Sequence, residues 1–315
     1  MRRTSLRVVT RTQGNNRDLK TGAVTPQSVD LDFVEVPRLV DAFRRMVRDE
    51  AYDVCELAVT TYLCAKEHGA RFTALPVFLV RGFHDGAIQV RRGSGITEAE
   101  HLVGGRVGVN RGWTVTTGVW ARSVLSEHHG VPLDRIEWIL SGDEHVSAYV
   151  HPENVHPSTE GRDLERMLLA DELAAVVGAD IDHPDVVPLF PEAEDQAMWR
   201  FASDGVLPIN HLVVVRDEVL RDAPELSVDL FDAFARSRQR YVSRLVSGSE
   251  KPSDSADRLY LKVIESNRSD SLLYGIAPNL ASLEALMRHA REQNILRGRS
   301  SIESVFDTRT LELIG

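Results

Sequence analysis

The sequence predicts an α/β fold in two lobes with a ligand cleft between them. Three observations carry this. Short β-branched runs alternate with segments of helical hydrophobic period, the alternation restarts near Thr97, and one further run, Pro208 to Val215, precedes largely helical sequence to the last residue. A chain that leaves one α/β unit, builds another and returns has a discontinuous first lobe. Here that lobe is residues 1–95 with 205–315, and the second lobe, 96–204, carries an anion-binding helix N-terminus. Ligands of open α/β sheets sit beyond the carboxyl ends of the strands, so the residues just after each run carry the functional interest.

Taken in order, Leu6 to Thr10 and Leu31 to Val36 read as strands. Pro37 to Glu50 reads as a helix, with Leu39, Val40, Phe43, Met46 and Val47 at helical spacing. Tyr52 to Leu57 is a short strand, Thr60 to His68 a helix stopped by Gly69, and Phe72 to Val80 a long apolar β-prone run ending at Arg81-Gly82. In the second lobe a polar helix start near Thr97 precedes the strand Arg106 to Val109. A helix from about Thr116 to His128 and the strand Ile136 to Leu140 follow. Asp143-Glu144-His145 stands where a helix would start, with Asp143 as its N-cap after Ser141-Gly142. A helix over Asp163 to Asp171 and a strand over Ala174 to Gly178 close this lobe near Asp180, and Ser247 to Ser255 reads as a flexible loop.

Composition narrows the function classes. A hydrophobic share of 43% and a charged share of 27% are globular values, and 315 residues allow two domains. No segment holds the roughly 20 apolar residues that span a bilayer, and the N-terminus lacks an apolar signal region, so the expected location is cytoplasmic and no membrane partner is expected. A net charge of −10 supplies no field for nucleic acid, which leaves an anionic ligand to local groups. Cys55 and Cys64 suit a reducing compartment as buried, inert thiols. Self-association stays open.

The richest motif runs from Arg106 to Thr117. A short strand ends at Asn110-Arg111-Gly112-Trp113, and the turn opens into a helix that begins with Thr114 and Thr116. Helix N-termini present unpaired N–H groups and a positive dipole end, so amides around Gly112 to Thr114, the two hydroxyls and Arg111 suit a carboxylate or phosphate; the threonines serve equally well as plain helix caps. The Trp113 ring would stack on an aromatic ligand or pack inside the protein. Arg81 after the long strand is a second cationic candidate, and Asn210 lies beside His211. Three histidines, His84, His145 and His211, closely follow predicted strands, and histidine titrates in the range useful for proton transfer. Glu56 ends another strand; a buried carboxylate there requires a cationic partner or a proton to handle.

Several of these runs together carry a resemblance. Phe43 to Val47, Tyr52 to Ala58 with Thr60 to Leu63, Phe72 to His84, Gly104 to Arg122, Leu140 to Val146, Pro208 to His211 and Tyr274 to Asn279 resemble the 4,5-dihydroxyphthalate decarboxylase family nearly end to end. The resemblance implies a fold similar to the type II periplasmic-binding proteins. It also implies decarboxylation of a small hydroxylated aromatic carboxylate, 4,5-dihydroxyphthalate to 3,4-dihydroxybenzoate and CO2, by protonation of the ring carbon. Asp85 departs from it, since a second histidine is expected after His84, and His151 to Gly161 looks individual to this chain. Such chemistry needs a carboxylate anchor, a proton donor and a group near the phenol oxygens. No organic cofactor is expected: there is no strand-linked G-x-G-x-x-G and no prominent Schiff-base lysine. A divalent metal on His84, Glu56, His145, Asp143 and His211 is the less favoured alternative, because no compact ligand motif is present. Two alternative readings remain, a binding protein for small anions and a lyase of the same family acting on a natural-product substrate.

Overall fold

The structure is a computed structural model and describes residues 3–157, 163–267 and 269–315. The chain divides into two compact units: 1–82 with 205–284 and 298–315, and 83–204 with 285–297.

The first unit is built on a five-stranded sheet. Its strands are β1 (Thr4–Val9), β2 (Val29–Phe33), β3 (Val54–Ala58), β4 (Phe72–Arg81) and, after the chain returns, a strand over Ile209–Arg216. The second unit supplies β5 (Ile88–Arg91), β6 (Arg106–Val109), β7 (Glu137–Leu140), β8 (Val155–His156), β9 (Ala175–Val177) and β10 (Val186–Pro188), so the returning strand is β11. Sheet order in the first unit is β2-β1-β3-β11-β4, with β11 antiparallel to both neighbours. All five residues of β3 are buried, as expected of a central strand covered on both faces. Helices α1 (Arg17–Lys20), α2 (Leu39–Asp49) and α3 (Val59–Glu67) connect the early strands. α2 buries Val40, Phe43 and Met46 at helical spacing and stops at Glu50, which is left-handed at φ 49°.

The second sheet has the order β10-β5-β9-β6-β7-β8. β5 is antiparallel to both neighbours, which ties the segment after Gly82 to the second unit. Between β6 and β7 lies α4 (Thr116–Ser123), which continues into a wider π-type turn over Val124–His128. α5 (Leu164–Leu169) is N-capped by Asp163, whose side chain accepts from Arg166 N, and it packs Leu164, Met167 and Leu168 on Val176 of β9. α6 (Ala193–Asp204) leads back to the first unit. The C-terminal part is helical as expected, with α7 (Asp217–Asp222), α8 (Leu226–Val246), α9 (Ser255–Asn267) and α10 (Leu280–Glu292).

Two expectations are corrected. The helix start near Thr97 is only a 3-10 turn, Ala99–Leu102. No helix follows Asp143, which is exposed; its neighbour Glu144 turns inward instead and captures backbone N–H groups, as described below. Of the individual segment His151 to Gly161, the part from Ser158 lies outside the described residues. No helix among the described residues is long and apolar enough to cross a membrane.

Candidate active site

In the first unit the structure brings Glu56 and His211 together. β3 and β11 pair antiparallel with Glu56 opposite Val213 and His211 opposite Ala58, which makes Glu56 and His211 diagonal neighbours on one sheet face. His211 Nδ1 donates to Glu56 Oε1 at 2.6 Å, and the Phe43 ring of α2 meets the imidazole edge-on at 5.1 Å. Glu56 has no exposed surface, so its remaining acceptor capacity must be met from within. The turn after β1 does this: Arg11 N donates at 2.9 Å and Gln13 Nε2 at 3.3 Å. A carboxylate acceptor at Nδ1 favours the tautomer that carries the proton there and sets Nε2 on the far side of the ring.

Arg81 and Asn210 belong to the same unit. Arg81 is buried at the end of β4, and its guanidinium donates to Asn279 Oδ1 at 2.5 Å and to Leu273 O at 2.9 Å. Burial pulls its pKa down to about 10, so it remains charged at neutral pH. It therefore acts as a clamp on the 273–279 segment. Asn210 is buried where the β11 ladder loses its regular register. Pro76, within β4, has no N–H to offer that ladder.

The second unit holds the expected anion loop, already filled from within. Glu144 is 7% exposed and accepts hydrogen bonds from Thr114 Oγ1 at 2.6 Å, Thr114 N at 3.2 Å, His151 Nε2 at 3.0 Å and Trp113 N. Burial disfavours its charge, but His151, Thr114 and Trp113 outweigh burial and hold its pKa below the ordinary carboxylate value. A Cβ on Gly112 would stand 2.6 Å from Glu144 Oε2, so the glycine is what lets the carboxylate approach. The donors expected for a ligand at Gly112 to Thr114 thus serve a side chain of the protein itself.

The Trp113 ring is core. It packs against Trp138 at 5.5 Å, lies 3.6 Å from the buried Arg122 guanidinium carbon and donates from Nε1 to Gln293 O at 2.9 Å. Gln293 also accepts from Arg122 Nε at 2.8 Å and donates to Val119 O at 3.0 Å. Burial lowers the Arg122 pKa to about 9. Val115 occupies the cap position of α4 without a side-chain bond, so neither Thr114 nor Thr116 is the cap; Thr116 is buried in the first turn. Asn110 Nδ2 donates to Gly178 O at 2.8 Å and ties β6 to the end of β9. Arg111 is exposed and left-handed at φ 70°, with its N–H on Ser141 Oγ at 2.8 Å.

His84 and His145 are buried in this unit. Asp85, in place of the second histidine implied above, forms an ion pair with Arg200 of α6. Among the described residues no group of three or more His, Cys, Asp or Glu is arranged to hold a metal ion. Sequence reasoning missed Arg11, Gln13, His151 and Gln293. The first two carried a readable signal, a polar Gly-Asn turn directly after a strand, as in the Asn110 to Gly112 motif.

No protein-family model matches the chain. It is 28% identical to a 4,5-dihydroxyphthalate decarboxylase of Comamonas testosteroni over 94% of each protein. It is 33% identical to one of Pseudomonas putida over 58% of this chain and 75% of that one. Among solved structures, a Candida albicans protein with the generic periplasmic binding protein fold aligns at TM-score 0.54 and 14% identity over 99% of this chain and 98% of that one. The desulfurization enzyme DSZB aligns at 0.52 and 14%, over 96% of each chain. The aliphatic sulphonate binding protein SsuA of Escherichia coli aligns at 0.51 and 11%, covering 98% of this chain and 99% of that one. At these identities the structural matches speak for the fold alone, a periplasmic-binding-protein-like α/β fold, whereas the sequence relatives place the chain in a family: it belongs to the 4,5-dihydroxyphthalate decarboxylases.

Proposed function

We propose that this protein decarboxylates 4,5-dihydroxyphthalate to 3,4-dihydroxybenzoate. Family membership supports the reaction, and the observation that carries the chemistry is the 2.6 Å contact of His211 with buried Glu56. In this substrate each carboxylate stands para to a hydroxyl, so the phenol oxygen pushes electron density onto the ring carbon that bears the leaving group. That carbon takes a proton from His211 Nε2 while Glu56 holds the imidazole through Nδ1. The bond to the carboxyl carbon then breaks, its electron pair restores the aromatic ring, and CO2 departs. One proton is consumed per turnover and returns to His211 from solvent. General acid catalysis of this kind contributes about 10²- to 10⁴-fold.

His84 and His145 are the other proposed acids, and Arg111 and Thr116 are proposed anion contacts of the second unit. The decisive experiment is CO2 release from metal-stripped protein given 4,5-dihydroxyphthalate, with a divalent metal restored in parallel. Release without metal supports the histidine mechanism; release only with metal sinks it. No release from either sample, together with a thermal shift on adding aromatic carboxylates, favours the binding-protein reading or another substrate.

A further inference from the structure

The turn between β1 and α1 does more than support Glu56. It is internally braced: Gln13 N donates to Asn16 Oδ1 at 2.9 Å and Asn16 Nδ2 to Arg11 O at 2.8 Å. A Cβ on Gly14 would fall 2.1 Å from the Tyr241 ring, so glycine alone lets the turn lie this close to α8. From this frame Asn15 Nδ2 reaches Leu79 O at 2.8 Å. Leu79 sits where the β4–β11 ladder slips: Val80 stands opposite His211 and Phe78 opposite Leu212, and Leu79 has no residue across from it. A carbonyl accepts only from the NH2 side of the amide, so this bond fixes the side-chain orientation and turns Asn15 Oδ1 away from Leu79.

Asn15 is 6% exposed, and its Oδ1 has no hydrogen-bond partner among the described residues. The same holds for the hydroxyl of Thr10, 2% exposed, at the start of the turn. A buried acceptor without a donor is destabilising and calls for a partner from outside the protein. Its anchor point is one residue from the strand position opposite His211.

We infer that Asn15 is a specificity-determining residue whose side-chain oxygen accepts the O–H of a ring hydroxyl, so that the site selects hydroxylated aromatic carboxylates over plain ones. This rests on the decarboxylase reading for its substrate class. A neutral amide suits the task. It accepts from a phenol without adding negative charge near an oxygen that must become electron-rich, and its NH2 group is spent on the backbone. A site built to pair with a hydroxyl discriminates strongly against the analogue that lacks it, because the acceptor is then left buried and unpaired.

Calorimetric titration with two unreactive probes, 3,4-dihydroxybenzoate and benzoate, separates selection from folding, since each protein is its own reference. The wild-type chain is expected to bind the dihydroxylated probe about tenfold or more tightly, and Asn15→Ala to bring the two within about threefold. Asn15→Asp, which keeps the shape but places a charge against the Leu79 carbonyl, should lose the preference as well and serves if the alanine variant does not fold. An unchanged ratio in either folded variant overturns the inference, as does a wild-type chain without preference. Turnover of 4,5-dihydroxyphthalate is followed in the same preparations. An Asn15-dependent ratio without turnover would sink the decarboxylase reading and leave this inference standing, whereas turnover with an unaltered ratio would do the reverse.

Discussion

Glu56, within β3, and Glu144, after β7, invite comparison, because each is a buried carboxylate that accepts from one histidine and from the turn after another strand. Their histidines are also alike in exposure, 19% for the His211 side chain and 17% for His151, so accessibility does not separate them. The donors do. At Glu144, Trp113 N and both Thr114 donors, from the turn before α4, join His151. At Glu56 the shortest bond is from the histidine, 2.6 Å, while Arg11 N stands at 2.9 Å and Gln13 at 3.3 Å. One carboxylate organises a loop; the other organises an imidazole. A buried acid at a strand edge is therefore no indicator of catalysis until its donors are counted.

The largest expected effect comes from removing the imidazole. His211→Ala should lower CO2 release by about 10²- to 10⁴-fold with a melting temperature near that of the wild type. Near-normal turnover would end the acid assignment, and His84→Ala then becomes the informative variant.

Glu56→Gln comes next. A glutamine that offers its NH2 group to Nδ1 favours the wrong tautomer, and turnover is expected to fall on the order of 10²-fold or more. The same change at Glu144 should spare most of the turnover but cost about 1–3 kcal/mol in denaturant unfolding, since amide hydrogens would face donors. Reversed outcomes would exchange the roles assigned to the two acids.

Acid titration sharpens the contrast. Because the folded-state pKa of Glu144 is depressed below its ordinary value of 4.5, its contribution to stability is present above that value and is lost as pH falls through the folded pKa. The stability gap between wild type and Glu144→Gln should therefore narrow below about pH 4.5. A gap independent of pH would mean that Glu144 is not ionised in its loop.

The smallest effect concerns Arg111, whose left-handed backbone penalises a side chain. Arg111→Gly is expected to be more stable than Arg111→Ala by about 1 kcal/mol, with both weakening affinity for aromatic carboxylates to a similar degree. Equal stabilities would argue that the turn relaxes, and unchanged affinity would remove Arg111 from the ligand contacts.

Much of the fold was legible in the sequence. Phe72–Arg81 and Ile209–Arg216 are long β-prone runs, and the helical spacing of Val40, Phe43 and Met46 located α2 to within two residues. β5, with only Ile88–Arg91, lacks the length to stand out, and α6 buries only Ala193, Ala197 and Phe201, a thin apolar stripe. At the site, Glu56 and His211 stood out one by one as expected strand-end residues, although the structure places both inside strands, β3 and β11. Their union did not, because it depends on an antiparallel register between segments 155 positions apart. The Glu144 capture was hidden for a related reason: local propensity favours a helix after Ser141-Gly142, and donors some 30 positions upstream override it.

The chain's third passage between its units bears on how far they are autonomous. Leu280 to Glu284 belong to the first unit, and Ala285 onward, Gln293 included, to the second. A fragment cut at the two earlier passages, residues 83–204, would leave Gln293 behind. The Trp113 indole N–H and Arg122 Nε would then each lose an acceptor, and Val119 O would lose a donor, at buried positions. The second unit is thus not an insert that can be excised. Its integrity depends on a segment synthesised more than 80 residues after its main body, so its interior reaches final order only once that segment has been made.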